Sequence, residues 1–184
     1  MAFGFADEQP CITEAIRDAL GERKDSLLFF AAASNHGGND QEMFPARHPS
    51  VISIRGTDSN GFFKEFNPPK GQNEKVVLGT LGLDVPSAWC NCDEEVYMSG
   101  TSPATAIAAG IAGVLLGYIG SKPTDVTFQT MKQLAWKRQG MDAIFKTLAS
   151  PTLMSGYLYL TPWTLMGKPE DVRWANLVVA LSNL

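Results

Sequence analysis

Two periods of hydrophobic and polar residues divide the first half of this chain. From Cys11 to Arg23, Ile12, Ala15, Ile16, Ala19 and Leu20 recur at helical spacing, with Glu14, Arg17, Asp18 and Glu22 between them. That spacing predicts an amphipathic helix. Leu27 to Ser34 is a continuous apolar run of strand length, and Val51–Asp58 and Val76–Leu81 read as further strands. A helix followed by a strand apolar on both faces predicts an α/β fold, with a mostly parallel sheet under helical covers. Asp58-Ser59-Asn60-Gly61 is a turn signal, and Phe62–Phe66 a short or edge strand.

The run Ala104 to Ile119 has neither period. It is small and apolar throughout, with Gly110, Gly113 and Gly117 inside. Its 16 residues are few for a membrane span and rich in Ala and Gly, so no membrane partner is expected. It reads as a helix buried all round. Pro103 suits its first turn. Beyond Gly120, Thr124 can cap a helix from Asp125 to about Arg138, with Val126, Met131, Leu134 and Ala135 inward. Gly140–Leu148 gives another helical turn or two, and Gly156–Leu160 a short strand stopped by Pro162. Pro169 opens a last helix whose Val172, Ala175, Leu177, Val178 and Leu181 can dock. No repeat or linker interrupts the chain.

Composition narrows the function classes. The 184 residues are 45% apolar and 18% charged, which suits one packed domain. A formal charge of −4 offers no basic patch for nucleic acid. Cys11, Cys90 and Cys92 are odd in number, and Asp7 and Glu8 break any leader-like start. Free thiols in a reducing, cytoplasmic compartment are the expectation. Cys90-Asn91-Cys92 beside Asp93, Glu94 and Glu95 lacks a second ligand pair at metal spacing, so no metal or other cofactor is expected. No glycine-rich phosphate loop opens any helix, which removes a nucleotide-binding reading.

The candidate chemistry gathers around Ser99-Gly100-Thr101-Ser102. Ser102 stands at a helix N-terminus, where the dipole favours developing negative charge. That suits a nucleophile, and it equally suits an N-cap. Asn35, in the Gly-rich loop after the Leu27–Ser34 strand, can donate to an oxyanion or simply make a turn. Met1–Phe5 reads as the end of a strand, frayed or functional.

Three segments decide between these readings by resemblance. Ser99 to Gly110 (SGTSPATAIAAG) is similar to the nucleophile segment of the subtilisin-like serine peptidases. Phe30 to Gly37 (FAAASNHG) resembles that family's strand ending in an oxyanion Asn. Phe44 to Ile54 with Asp58–Gly61 resembles its aromatic-Pro turn, strand and following turn. The resemblance implies a three-layer α/β/α fold and a serine endopeptidase, with Ser102 as acyl-enzyme nucleophile and Asn35 in the oxyanion hole. It also implies a peptide or protein substrate laid along Ala2-Phe3-Gly4 and Ala32-Ala33-Ser34, with Ser34 and Met43 at pocket positions. Ala2 stands where the family has Ser, Pro103 where it has Met, and Ala106 where it has Pro. Pro103 is expected to hold Ser102 out of the helical region.

Such a peptidase also needs an Asp and a His. Neither His36, on the oxyanion loop, nor His48, before Pro49, lies in the family's His-Gly-Thr helix start. Residues 1–167 are therefore expected to be the C-terminal portion of such a domain, with its N-terminal part missing, and 168–184 a docking helix. That missing part is the implied partner, and the chain alone is expected to be inactive. The competing reading is a pseudo-protease that binds or regulates without turnover.

Overall fold

The structure, a computed structural model, describes residues 1–38, 40–71, 74–90, 95–122 and 126–184, with residues 126 and 127 described by backbone alone. In chain order the elements are α1 (Pro10–Glu22), β1 (Phe29–Ala32), β2 (Val51–Thr57), β3 (Val77–Leu81), β4 (Val85–Ser87), β5 (Val96–Met98) and α2 (Thr101–Gly120). There follow α3 (Val126–Ala135), α4 (Arg138–Leu148), β6 (Ala149–Pro151), β7 (Tyr157–Leu160), α5 (Trp163–Met166) and α6 (Glu170–Ser182).

Strands β1, β2, β3 and β7 pair in parallel, and β6 closes the far edge antiparallel to β7. Phe29 lies opposite Val51 and Ala32 opposite Ile54. Beside β1, the Met1 ammonium donates to the Phe30 carbonyl, and the Ala32 N–H donates to the Met1 carbonyl at 3.0 Å. The N-terminal segment thus runs along the sheet's edge. Phe62–Phe66 contributes one bridge, Phe63 to Thr57, rather than a strand.

Strand alternation sorts side chains to two faces. Phe30, Ile52, Ile54 and Leu78 face a large core built with α2, α3, α4 and α6. Ala31 and Val51 face the other way, against Ile16 of α1 and Ala46. The result is three layers. Each large apolar side chain buried here is worth roughly 1.5–3 kcal/mol. Leu177 and Leu181 of α6 lie in the same core as Phe145 of α4, and Phe128 stacks on Trp174 at 4.8 Å. Val172 and Ala175 are exposed instead, so α6 packs on a narrower stripe than its composition predicts. The expected Thr124 cap lies outside the described residues.

Helix α2 departs most from expectation. Thr101, Ala104, Thr105, Ala108, Ala112, Leu115 and Ile119 are buried over β1–β3. Ala106, Ala109, Gly110, Gly113, Val114 and Gly117 are exposed, Val114 to 62%. A helix apolar on every side has only one side covered. A methyl added at Gly110, Gly113 or Gly117 would meet nothing within 4 Å. By length and a mean hydropathy of 1.6, α2 could cross a membrane, but its inner side is seated on the sheet.

On the face opposite α2, β2 carries Arg55, 1% exposed. Its Nε donates to the Pro68 carbonyl, and its Nη2 to the Pro69 carbonyl and to Glu74 at 3.1 Å. Its Nη1 lies 3.5 Å from Glu42. Removing one partner of a buried ion pair costs about 3–5 kcal/mol. The cluster ties the loops before and after β2 to the sheet.

Candidate active site

The ends of β1, β2 and β3 converge on the N-terminus of α2. Close backbone approach sets the fit. A methyl on Gly82 would lie 2.6 Å from the Gly100 carbonyl oxygen and 2.7 Å from the Gly56 Cα. The Gly100 N–H donates to the Gly82 carbonyl at 2.7 Å. Gly100 is the N-cap of α2, at φ +139°, where a side chain would strain the backbone and strike Asn35 Nδ2.

Next in the chain, the backbone N–H of Thr101 donates to Asn35 Oδ1 at 2.7 Å, and its hydroxyl donates to the same oxygen at 2.9 Å. Two donors on one atom fix which end of the amide is oxygen. Among the described residues the Asn35 NH2 has no hydrogen-bond partner, and Asn35 itself is exposed and lines a pocket of about 170 Å³.

Ser102 is half-buried in the first turn of α2, not ahead of the helix, so the expectation that Pro103 excludes it from helical backbone is corrected. The intrahelical bonds of a 20-residue helix outweigh the local bias of a residue before proline. Ser102 makes no capping bond; its Oγ donates to the Ala2 carbonyl at 3.4 Å. The helix dipole raises the electrostatic potential there.

Ala2, Phe3, Gly4, Ala32, Ser34, Asn35, His36, Met43, Thr101 and Ser102 line the pocket together. Ala33 does not line it. Fully buried, it donates its N–H to the Ile54 carbonyl and accepts from the Met43 N–H at 2.8 Å. The buried Ser34 Oγ accepts from the His36 N–H, which folds the loop. Met43 packs on Gly4, where a methyl would come within 2.8 Å of its Cβ and Sδ. His48 is elsewhere: its Nδ1 accepts from the Ser50 N–H, and its ring stands edge-on to Phe44. Among the described residues, Ala2 is the one hydrogen-bond partner of Ser102 Oγ.

Two residues matter here that sequence reasoning passed over. Thr101 was visible only as a polar neighbour of Ser102. Arg55 carried a readable signal, a charge inside the strand Val51–Thr57. Among the described residues no His, Cys, Asp or Glu group could hold a metal ion; residues 91–94 of the Cys90–Glu95 segment lie outside them. Cys11 and Cys90 are exposed and unpaired.

Comparison with known proteins follows the same outline. The model of the subtilase family, peptidase S8, matches residues 1–148. The halolysin-like extracellular serine protease Nep of Natrialba magadii is 34% identical over 91 residues, half of this chain and 16% of that protein. The alkaline serine protease ver112 of Corniculantispora psalliotae is 30% identical over 107 residues, 58% of this chain and 27% of that protein. Among solved structures, the PatG macrocyclase in complex with peptide superposes with a TM-score of 0.62 at 20% identity, over 98% of this chain and 50% of that one. The prenylagaramide maturation protease PagA gives 0.63 at 22%, over 97% and 58%. At such identities the likeness is of fold, a three-layer α/β arrangement on a mostly parallel sheet. The chain spans about half the length of these solved structures and less of the curated relatives.

Proposed function

This chain belongs to the subtilase family of serine peptidases, and from that membership we propose that Ser102 is the nucleophile of a serine endopeptidase site. Ser102 Oγ attacks the carbonyl carbon of a peptide bond, and its proton passes to a general base. The carbonyl oxygen becomes an oxyanion that accepts from Asn35 Nδ2. The amine then leaves with that proton, and water hydrolyses the acyl-enzyme. One observation supports the reading: Thr101 occupies Asn35 Oδ1 twice, which leaves the amide N–H groups as the free end of a side chain that lines one pocket with Ser102. A preorganised donor of this kind is worth about 3–4 kcal/mol to the transition state. The peptide lies along Ala2-Phe3-Gly4, with Ala32 and Ser34 across the pocket; the backbone of Ala33 is already engaged.

The base and its orienting Asp are proposed to come from a further segment of a subtilase domain. The bare small-residue side of α2 supports this, since a packed helix surface without charge calls for a cover. In that view this chain alone is inactive or nearly so. A second reading, a binding module without turnover, is favoured by one fact: the hydrogen bond of Ser102 Oγ goes to a carbonyl and not to a base.

Intact mass after exposure to a fluorophosphonate separates the two. The natural full-length protein is expected to gain one adduct, lost in Ser102→Ala, while this chain by itself stays unlabelled. A folded full-length protein that never labels supports the binding module and ends the peptidase reading.

A further inference from the structure

Resting on that reading of Ser102, we propose that Arg55 is a positioning residue. Through Glu42 it fixes Met43, a wall of the pocket beside Ser102, and so sets which substrate side chain is admitted there.

Alternation along β2 sends Ile52 and Ile54 to the helical core and Ser53 and Arg55 to the opposite face. There the Ser53 hydroxyl donates to Glu42 Oε1, and Arg55 Nη1 lies 3.5 Å from the same oxygen. Glu42 is covalently next to Met43. The Met43 N–H donates to the Ala33 carbonyl at 2.8 Å, its side chain packs on Gly4, and it lines the pocket with Ser102 and Asn35. Phe44 follows, exchanging backbone hydrogen bonds with Phe5 at 2.9 and 2.7 Å. Residues 42 to 44 are thus pinned between the buried cluster and the pocket.

Only a planar guanidinium can serve two proline carbonyls and two carboxylates at once. Without it, Glu42 and Glu74 share a largely buried space with the exposed Arg47 as a nearby cation, and they separate. Glu42 then carries Met43 with it. Glu74 sits on the loop after Pro69, none of whose described residues lines the pocket. The two carboxylates of one arginine therefore have different consequences.

The test compares wild type, Arg55→Gln, Glu42→Gln and Glu74→Gln in the natural full-length protein. Hydrogen exchange at the Met43 and Phe44 amides is expected to quicken about tenfold or more in Arg55→Gln and Glu42→Gln, and not in Glu74→Gln. Ser102 labelling by peptidyl phosphonates carrying Ala or Phe next to phosphorus should change in ratio by about tenfold in the first two variants. A fluorophosphonate without such a side chain should label within about twofold of wild type. Unchanged exchange at Met43, exchange raised across β2 and β3 alike, or an equal slowing with every probe overturns the proposal. Should Arg55→Gln not fold, Glu42→Gln decides, since it keeps the Arg55–Glu74 pair. If wild type labels with no probe, the peptidase reading falls, and the exchange result alone decides whether Arg55 holds Met43.

Discussion

Asn35 and Thr101, 66 residues apart in sequence, are joined by two hydrogen bonds to one oxygen. One bond comes from the backbone that starts α2, the other from a side chain 1% exposed. The pair couples the end of β1 to the start of α2 and sets the direction in which Asn35 can donate.

Replacing Thr101 by Val removes the hydroxyl donor and keeps the backbone one. Stability should fall by about 1 kcal/mol. Fluorophosphonate labelling of Ser102 in the full-length protein should slow by roughly three- to tenfold as the amide loosens, and Thr101→Ser should restore most of it. Labelling at the wild-type rate in Thr101→Val would show that Asn35 is oriented by something else.

Gly100→Ala places a methyl 2.7 Å from Asn35 Nδ2 at a backbone angle that favours glycine. Unfolding by urea should show a loss of about 1–3 kcal/mol, and the Asn35 side-chain amide should shift in NMR spectra. A variant as stable as wild type contradicts the packing described.

The bare side of α2 makes opposite predictions for one residue. Gly113→Ala should stabilise this chain by about 0.5–1 kcal/mol, because glycine is costly in a helix interior and nothing lies near. Gly113→Leu should fold equally well here but disrupt any longer protein that carries the proposed cover, which must approach closely. Equal tolerance of Leu in both proteins removes the case for that cover.

Acidity should act through Glu42. Burial pushes its carboxyl above the usual range, against the opposing pull of Arg55 and the Ser53 hydroxyl. The folded state therefore holds this proton to higher pH than the unfolded chain does. The contribution is fully present below the unfolded carboxyl's pKa, about 4.3, and is lost as pH rises through the raised value of the folded state. Denaturation curves across that window should show wild type losing stability relative to Glu42→Gln as pH increases. Parallel curves would mean that Glu42 titrates as if in water.

In the core, Leu177→Ala should cost about 2–5 kcal/mol, since Leu177 is fully buried under α6. Val179→Ala, on the exposed side of the same helix, should change stability by less than about 0.5 kcal/mol. A small effect at Leu177 would make α6 an appendage that merely docks on the rest.

The sequence by itself determined the longer elements and their kind; β4, β5, β6 and α5 were too short to read from it, and Phe62–Phe66 read as a strand that the fold does not form. Periodicity located α1, and the length and composition of apolar runs located the parallel strands and α2 to within a few residues, because backbone period and apolar burial are local properties. It also brought Ser102 and Asn35 forward as candidates through short motifs, and the Ala2–Gly4 segment through a further match to the same family. Tertiary structure decided what covers what. An apolar period states how many sides of a helix avoid water, not which neighbour hides them, so the uncovered side of α2 was not legible. Nor was the role of Thr101, whose partner lies 66 residues away. Ala33 looked like Ala32 in sequence, but its backbone groups are engaged by Ile54 of β2 and by Met43 of the loop before β2, a matter of tertiary pairing. Arg55 stood out as a charge in a strand, yet only the fold brings Glu42, Glu74 and two proline carbonyls around it and makes that charge tolerable.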